Sequence, residues 1–394
     1  MITWATDGRI RDTSRSEDAD DSSTPNRPDI AVFLPSLSAG GAQRVMLTTA
    51  TGLAERGYSV DLVVGNLSGQ FESEIPESVS VIDLGARKLP KLSAVGNLRP
   101  VREYLMNREP RVFISSMNHV NVVALVAWKT ASTDSRIIVT EHNDPRALKR
   151  GSMKNRIVYS IASLVYPWSN SIVGVSDGVV GRLSDEVGIP EHELTRIYNP
   201  VVTADLIAES KQPCDHPWTD DDVPVLLNVG RLTEQKNQDL LLRSFATLRS
   251  RRDARLIIVG KGERESELLA LAEKLGVEEH VAIINWIDNL YALMANADTF
   301  VLSSRYEGLP TVLIEALACG CPVVSTDCPS GPREIIGEDE YGTLVTEFEP
   351  SALADGTETQ LESPVDEATL RERGREFSVH RCIDKYEQLV QELL

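Results

Sequence analysis

Short apolar runs alternate with longer amphipathic stretches along most of this 394-residue chain. Residues 30–36 (IAVFLPS) predict a buried strand, and residues 42–57 predict a helix that ends at Gly57. Alternation of this kind predicts right-handed βαβ units and a parallel sheet. Further strand-like runs are residues 58–65, VSVIDLG (79–85), RVFISS (111–116), RIIVTEH (136–142) and SIVGVS (171–176).

A second series of the same kind begins at VLLNVG (225–230). Its later strands are predicted at RLIIVG (255–260), VAIIN (281–285), TFVLSS (299–304), CPVVST (321–326) and GTLVT (342–346). Two such series predict an α/β protein with two Rossmann-like domains facing a central cleft. We expect a disordered polar tail (1–28), a first domain (29–200), a linker (201–222), a second domain (223–376) and a C-terminal helix (377–394) that packs back toward the first domain.

Composition places the chain among soluble globular proteins, with 42% hydrophobic and 25% charged residues. No apolar run reaches the length of about eighteen residues that a membrane-spanning helix needs, and the N-terminus lacks the order of a signal peptide. The five cysteines complete no zinc pattern, so buried, reduced thiols and a cytoplasmic location are expected.

The charge is unevenly distributed between the two series. Residues 201–394 carry 18 basic and 36 acidic side chains, whereas residues 30–200 carry 18 and 16. The overall net charge of −19 argues against binding to nucleic acid, which requires a basic surface. The nearly neutral first half remains compatible with an anionic partner.

Glycines and a histidine follow strands of the first domain. Gly40 and Gly41 join the first strand to its helix, where backbone amides can approach an anion. The same pair is also compatible with a simple tight turn. His142 lies at a strand end of the first half, at the end of the run RIIVTEH, so it belongs to the same edge of the sheet, although a lone histidine is often structural.

Two cations and two carboxylates mark the second domain. Arg231 and Lys236 lie between a strand and a helix, where they can bind phosphate oxygens. Glu307 lies at a strand end and Glu315 in the helix that follows a Gly-Leu-Pro turn. The amides of Leu309 to Val312 open that helix and suit a diphosphate, while an acidic residue there can bind a ribose.

The motifs as a set resemble glycosyltransferase family 4, whose members are retaining enzymes with the GT-B fold. The matching segments are GGAQRV (40–45), GRLTEQKN (230–237), VGKGE (259–263), EGLPTVLIEALACGCPVV (307–324) and SGPREII (330–336). The similarity covers about residues 29–394. TEHN (140–143) together with GGAQRVM is similar to bacterial members that build surface polysaccharides or lipid-linked oligosaccharides.

The resemblance implies catalytic roles for four residues. Arg231 and Lys236 would hold the donor diphosphate and stabilise the leaving group. Glu307 would orient the hydroxyls of the transferred sugar, and His142 would contact that sugar near its reacting face. The reaction would be a front-face displacement with retention and would require no metal and no cofactor, because the two cations supply positive charge.

The remaining positions would bind the donor, for which UDP is the first expectation and GDP or ADP the alternatives. Glu315 would bind the ribose, Gly41 the distal phosphate, and residues 261–262 and 286–287 would lie near the nucleobase. The acceptor would be a glycan or a polyprenyl-linked or other lipid-linked sugar. The donor-binding set is Gly40, Gly41, Lys261, Ile287, Leu309, Pro310, Thr311 and Glu315.

Two alternative functions and one further partner remain open from the residues themselves. The glutamate pair could serve a glycoside hydrolase, although a retaining hydrolase needs its carboxyl groups about 5–5.5 Å apart. A catalytically silent nucleotide-sugar-binding protein is the second alternative. The basic segments 87–111 and 146–168 could contact an anionic membrane at the inner face of the cell membrane, or could be ordinary solvated surfaces.

Overall fold

The computed structural model describes residues 2–4, 10–12, 27–38, 40–86, 95–151 and 153–394. The chain forms two compact units: unit 1 comprises Met1–Pro200 with Val379–Leu394, and unit 2 comprises Val201–Ser378. Each unit holds a mainly parallel sheet with helices between successive strands. This confirms the two Rossmann-like α/β domains expected from the alternating pattern.

The sheet of unit 1 has the order β2-β1-β5-β4-β3-β6-β7-β8-β9. Every neighbouring pair is parallel except β1 and β2. Chain order reverses between β3 and β6, which is where α/β sheets form their binding crevice. The strands are β1 (Ile2–Trp4), β2 (Ile10–Asp12), β3 (Ile30–Ser36), β4 (Val60–Asn66), β5 (Ser80–Asp83), β6 (Val112–Ser116), β7 (Arg136–Glu141), β8 (Ser171–Gly174) and β9 (Leu194–Arg196).

Part of the tail differs from the disorder predicted for residues 1–28. Residues 2–4 pair in parallel with β5, and residues 10–12 pair with residues 2–4. The edge strand β5 offers unpaired backbone groups, to which a further strand can form hydrogen bonds. The rest of the predicted tail up to residue 26 lies outside the described residues.

Unit 2 contains a six-stranded parallel sheet in the order β12-β11-β10-β13-β14-β15. Its chain order reverses between β10 and β13. The strands are β10 (Val225–Val229), β11 (Arg255–Val259), β12 (Val281–Ile284), β13 (Thr299–Leu302), β14 (Val323–Thr326) and β15 (Thr343–Val345).

Helices flank both sheets. Those of unit 1 are α1 (Gly41–Glu55), α2 (Leu98–Arg108), α3 (Asn118–Ala131), α4 (Pro145–Gly151), α5 (Met153–Val165), α6 (Asp177–Val187) and the C-terminal α15 (Val379–Leu393). Those of unit 2 are α7 (Ala204–Glu209), α8 (Gln238–Arg249), α9 (Glu265–Leu275), α10 (Leu290–Asn296), α11 (Thr311–Cys319), α12 (Pro332–Ile336), α13 (Pro350–Glu362) and α14 (Glu367–Arg375). No helix of the described residues is long and apolar enough to cross a bilayer.

The segment 201–222 is part of unit 2 rather than the linker predicted from its Pro and Asp content. Thr203 caps α7 by accepting a hydrogen bond from the amide of Leu206 at 3.0 Å. This helix packs against α10 and α11, and the Asn289 side chain donates to the carbonyl of Glu209. Composition cannot reveal such packing because short polar helices and linkers share the same residues.

The C-terminal helix packs on α1 in unit 1, as the sequence predicted. Ile383 and Tyr386 are buried in the same core as the strands of unit 1. The close approach needs Gly52, because a Cβ atom there would lie 2.7 Å from Ile383 Cγ1. Arg56, just beyond α1, bonds the carboxylates of Asp384 and Glu387.

Candidate active site

The candidate residues of unit 2 follow neighbouring strands of its parallel sheet. Arg231 and Lys236 follow β10, and Glu307 follows β13, which pairs with β10. The carboxyl ends of parallel strands meet at one edge, so the sheet brings these residues together at its topological switch point. Lys261 and Ile287 follow β11 and β12 at the same edge, one and two strands further from β10.

Lys236 and Glu307 form a direct ion pair. Lys236 Nζ lies 2.6 Å from Glu307 Oε1, and the hydroxyl of Ser304 donates to the same oxygen at 2.7 Å. Only 14% of the lysine side chain and 10% of the glutamate side chain are exposed. A pair this poorly solvated holds a fixed geometry, since moving either charge away would leave the other without a partner.

The loop that carries Lys236 is tied to β13 and its continuation. Ser303 Oγ donates to the carbonyl of Lys236 at 2.9 Å, and the amide of Arg305 donates to the carbonyl of Gln235 at 2.8 Å. The side chain of Gln238 holds the carbonyl of Arg231 at 3.1 Å. Arg231 itself is exposed, so its guanidinium is available to an external anion.

Close backbone contacts at this edge depend on glycine. Gly260 has φ +156°, and a Cβ atom there would lie 2.0 Å from the carbonyl oxygen of Gly230. Gly331 has φ +92°, and its Cβ atom would lie 2.5 Å from Pro310 Cδ. The segment after β14 therefore packs directly on the Gly-Leu-Pro turn that opens α11.

Helix α11 begins at Thr311, after Pro310 as its N-cap. The amides of Leu313 and Ile314 already reach the carbonyl of Pro310, so the preceding amides are those that geometry leaves for an anion. Glu315 lies one turn into this helix and is half-buried. The structure thus separates the two glutamates: Glu307 pairs with Lys236, and Glu315 belongs to the helix.

The nucleobase-side positions predicted from the sequence are accessible. Lys261 is exposed, Ile287 is half-buried, and the intervening Trp286 is 75% exposed. A largely exposed indole at the carboxyl end of β12 offers an apolar face for stacking.

Three predicted residues belong to unit 1. Gly40 caps α1, and Gly41 is its first residue; an added Cβ atom at Gly41 would meet nothing within 4 Å. His142 directly follows β7 at the same sheet edge, two strands away from β3. Thr140 lies between His142 and α1, because its hydroxyl is 3.0 Å from His142 Nε2 and 3.8 Å from Met46 Sδ of α1.

His142 is almost completely buried, which lowers the pKa of its imidazole to about 4. The Asn199 side chain opposes this effect by favouring the protonated ring. Among the described residues, His142 Nδ1 has no hydrogen-bond partner. The ring is therefore neutral at physiological pH and retains one polar atom for a ligand.

A buried carboxyl group next to His142 was missed by the sequence analysis. Glu141 is 1% exposed, and burial raises its pKa to about 7. Tyr166 and Tyr159 donate their hydroxyl groups to its two oxygens, the latter at 3.5 Å. Asn121 extends this network by donating to Tyr166 at 3.2 Å. The Glu-His dipeptide after an apolar run was the available signal.

The serine and threonine residues around the unit 2 site were also not predicted individually from the sequence. Ser304 supports Glu307, and Thr326 Oγ1 fixes the carbonyl of Ser304 at 2.8 Å. Thr233 and Ser330 each bury a hydroxyl that has no partner among the described residues. The small polar ending of the predicted strand 299–304 was the signal for the first of these. No group of three or more potential metal ligands occurs in the described part of the chain.

Comparison with known proteins identifies the family. The protein-family model described as "Glycosyltransferase Family 4" matches residues 39–205, and the family model described as "Glycosyl transferases group 1" matches residues 216–377. The chain is 32% identical over 344 residues to the N-acetylgalactosamine-N,N'-diacetylbacillosaminyl-diphospho-undecaprenol 4-alpha-N-acetylgalactosaminyltransferase of Campylobacter jejuni, which covers 84% of this chain and 90% of that protein. The chain belongs to glycosyltransferase family 4.

Other relatives of this glycosyltransferase come from different polysaccharide systems. The lipopolysaccharide core biosynthesis glycosyltransferase LpsE of Rhizobium meliloti is 28% identical, over 89% of this chain and 96% of that protein. Among solved structures, Anabaena HepE in complex with UDP matches with a TM-score of 0.73 and 19% identity, covering 92% and 100% of the two chains. That similarity supports the GT-B fold, and family membership supports a transferase over a glycoside hydrolase.

Proposed function

We propose that this glycosyltransferase moves a sugar, with retention, from a nucleoside diphosphate sugar to a glycan or lipid-linked acceptor. The buried Lys236–Glu307 pair beside Arg231 and the start of α11 carries this proposal. UDP is the first choice of nucleotide, since HepE was solved with UDP. A lipid-linked acceptor is supported by the Campylobacter relative, whose name specifies a diphospho-undecaprenol substrate.

In the proposed mechanism the bond between the anomeric carbon and the diphosphate breaks first. Arg231, Lys236 and the first amides of α11 stabilise the negative charge that develops on the leaving phosphate. The acceptor hydroxyl then attacks the oxocarbenium-like carbon from the same face. Its proton passes to the departing phosphate oxygen, so the products are a glycoside and a nucleoside diphosphate.

The remaining residues position the donor in this proposal. Glu315 accepts hydrogen bonds from the ribose hydroxyls, and Glu307 accepts them from the transferred sugar while its charge is held by Lys236. The amide of Gly41 contacts the distal phosphate, and His142 contacts the sugar through its neutral ring. Lys261 and Ile287 border the nucleobase, and Leu309, Pro310 and Thr311 form the turn beneath the diphosphate, with Gly40 setting the entry to α1.

We also propose that the reaction needs no divalent metal, because two side-chain cations face the diphosphate. Turnover that persists after treatment with a chelator would support this proposal. Turnover that is lost with chelator and restored by added Mg²⁺ or Mn²⁺ would contradict it.

A more specific part of the proposal concerns contact with the membrane. A lipid-linked acceptor would place the enzyme at the cytoplasmic face of the cell membrane, in peripheral contact with anionic lipid through unit 1. The basic segment 146–168 supports this contact, whereas residues 87–94 of the other basic segment lie outside the described residues.

Calorimetry with UDP, GDP and ADP tests the donor site. We expect one nucleotide to bind, and Arg231→Ala to weaken that binding by about ten- to a hundredfold, since one charge-assisted contact is lost. Arg243→Ala removes an exposed arginine from α8 of the same unit and serves as the matched control. Binding of none of the three nucleotides would remove the transferase proposal, and an affinity that Arg231→Ala leaves unchanged would remove the role assigned to Arg231.

A turnover assay separates the transferase from a silent binding protein. Release of the nucleoside diphosphate from a panel of nucleotide sugars is expected for the enzyme. Tight nucleotide binding without turnover of any donor, with and without lipid-linked acceptor, would favour the binding protein.

A further inference from the structure

Helix α5 presents apolar side chains on the face that is turned to solvent. Met153, Ile157, Ile161 and Leu164 are all exposed, Met153 to 67% and Leu164 to 72%. At 100° per residue, these four positions share an arc of about 80° on the helix surface. We call these four residues the α5 stripe.

The stripe is not the core-facing side of the helix. The opposite side of α5 packs inside unit 1 through the fully buried Tyr159 and Ala162 and the nearly buried Val165. A helix that is apolar on both sides and covered on only one leaves hydrocarbon in contact with water. A partner that covers the α5 stripe is therefore favoured by the hydrophobic effect.

Positive charge borders the stripe on both sides. Lys154 and Arg156 are exposed and lie beyond opposite edges of the about 80° arc. No ion pair within the described residues engages either of them. By contrast, Lys149 of the preceding α4 is neutralised by Glu186 at 2.9 Å.

The local charge differs sharply from that of the whole chain. Residues 145–168 contain five lysines and arginines and no aspartate or glutamate, within a protein of net charge −19. Trp168 ends this segment; it is partly exposed, and Lys129 Nζ lies 5.9 Å from the centre of its ring. Tryptophan and lysine side chains of this kind are favoured at the boundary between lipid and water.

We propose that the α5 stripe, bordered by Lys154 and Arg156, docks the protein on the surface of an anionic lipid bilayer. The stripe spans about 16 Å along the helix axis, which is too short to cross a hydrocarbon core of about 30 Å. The helix therefore lies in the plane of the interface, with its four apolar side chains among the acyl chains and its cations at the lipid phosphates.

A second copy of the chain fits this surface less well. A stripe one helix wide and about 16 Å long buries on the order of 200 Å², whereas a standard interface buries about 800 Å² per partner. Two copies would also bring Lys154 and Arg156 against each other. An anionic bilayer satisfies both the apolar and the basic parts of the surface.

This inference specifies the surface used in the membrane contact proposed above and rests on that proposal. Its test uses no donor and no acceptor, so it can fail while the transferase assignment stands. The purified full-length protein is floated with vesicles of phosphatidylcholine mixed with phosphatidylglycerol, and with vesicles of phosphatidylcholine alone, at low and high salt.

We expect binding to the anionic vesicles only, weakened by salt. Ile157→Ser/Leu164→Ser should reduce the partition coefficient by about ten- to a hundredfold, because two apolar side chains no longer enter the bilayer. Lys154→Gln/Arg156→Gln should reduce it by about tenfold. The matched control is Leu269→Ser/Phe348→Ser, which removes two exposed apolar side chains from unit 2 and should leave binding unchanged.

Circular dichroism confirms that each variant is folded, and nucleotide binding in unit 2 should be the same in all of them. Equal binding to neutral vesicles, or full binding by the Ile157→Ser/Leu164→Ser variant, would overturn the proposal. Sedimentation of the unmodified protein as a dimer that this variant abolishes, without any vesicle binding, would assign the stripe to a second copy instead.

Discussion

At the residue scale, the chemistry proposed for unit 2 depends on one buried ion pair and the exposed arginine beside it. Glu307 does not act as a free carboxylate, because Lys236 and Ser304 both bond its Oε1 oxygen. The pair fixes the direction of the lysine charge and the position of the carboxylate that, in the proposed function, accepts hydrogen bonds from a sugar hydroxyl. Stability and the proposed catalysis therefore depend on the same two residues, and mutations can separate the two effects.

Lys236→Ala is expected to lower turnover by about a hundredfold or more and to cost about 1–3 kcal/mol of unfolding free energy, because Glu307 loses its cation. Adding Glu307→Gln to this variant should restore most of the stability but not the turnover. Urea denaturation and release of nucleoside diphosphate measure the two effects. Turnover equal to that of the unmodified protein at saturating donor would refute the role of Lys236.

Glu141 should make unit 1 less stable as the pH rises. Its folded pKa of about 7 lies above the unfolded value, so the folded state holds the extra proton. The stabilisation is complete below about pH 4.5 and is lost as the pH rises to about 7. The loss amounts to at most about 3 kcal/mol for this buried group.

Glu141→Gln keeps the shape of the side chain but removes the carboxyl group that titrates. Between pH 5 and pH 8 the unmodified protein should therefore lose more unfolding free energy, or gain less, than the variant. Comparing the two proteins cancels the contribution of His142, whose lowered pKa acts in the opposite direction. An identical pH dependence in both would show that Glu141 does not titrate with folding.

At the element scale, α11 owes its position to the segment that follows β14. Gly331 packs on Pro310 with a positive φ, so the start of α11 and the Ser330–Gly331 turn form one unit of structure. This contact sets the orientation of the amide groups at the start of the helix. Their direction is thus decided by a residue about twenty positions away in the sequence.

Gly331→Ala should cost about 2–4 kcal/mol and weaken nucleotide binding, since it adds both backbone strain and a clash with Pro310. Gly276→Ala is the matched control in unit 2: its φ is +68°, but nothing lies within 4 Å of the added Cβ atom. It should cost about 1 kcal/mol and leave binding unchanged. Equal losses in the two variants would mean that the clash with Pro310 contributes nothing.

At the scale of the whole molecule, the chain leaves unit 1, builds unit 2 and then returns. Helix α15 completes the core of unit 1 with residues almost two hundred positions from the end of β9. Unit 1 therefore needs the last fifteen residues of helix for its stability, whereas unit 2 is continuous in the sequence.

Ile383→Ala should destabilise unit 1 by about 2–4 kcal/mol, because it opens a cavity against α1. Amide hydrogen exchange should speed up in β3 to β8 while β10 to β15 and nucleotide binding stay unchanged. Leu394→Ala, which truncates an exposed side chain at the same terminus, serves as the control. Faster exchange spread equally over both units would contradict the conclusion that Ile383 stabilises unit 1 independently of unit 2.

The amino-acid sequence was sufficient to predict the two α/β sheets and the edge on which each candidate residue lies. These follow from local information, because alternation of apolar runs and helical periods specifies each element, and a parallel sheet puts all strand ends together. It also predicted the return of the C-terminal helix. It did not predict β9, the paired residues 2–4 and 10–12, or α7 within the expected linker.

The contacts that each side chain makes could not be predicted in the same way. The Lys236–Glu307 pair joins residues 71 positions apart, and the buried Glu141 network joins β7 to α3 and α5. The helical periodicity of α5 likewise does not show which of its apolar side chains the core covers and which remain exposed. These outcomes depend on contacts between distant segments, and no local pattern of residues contains that information.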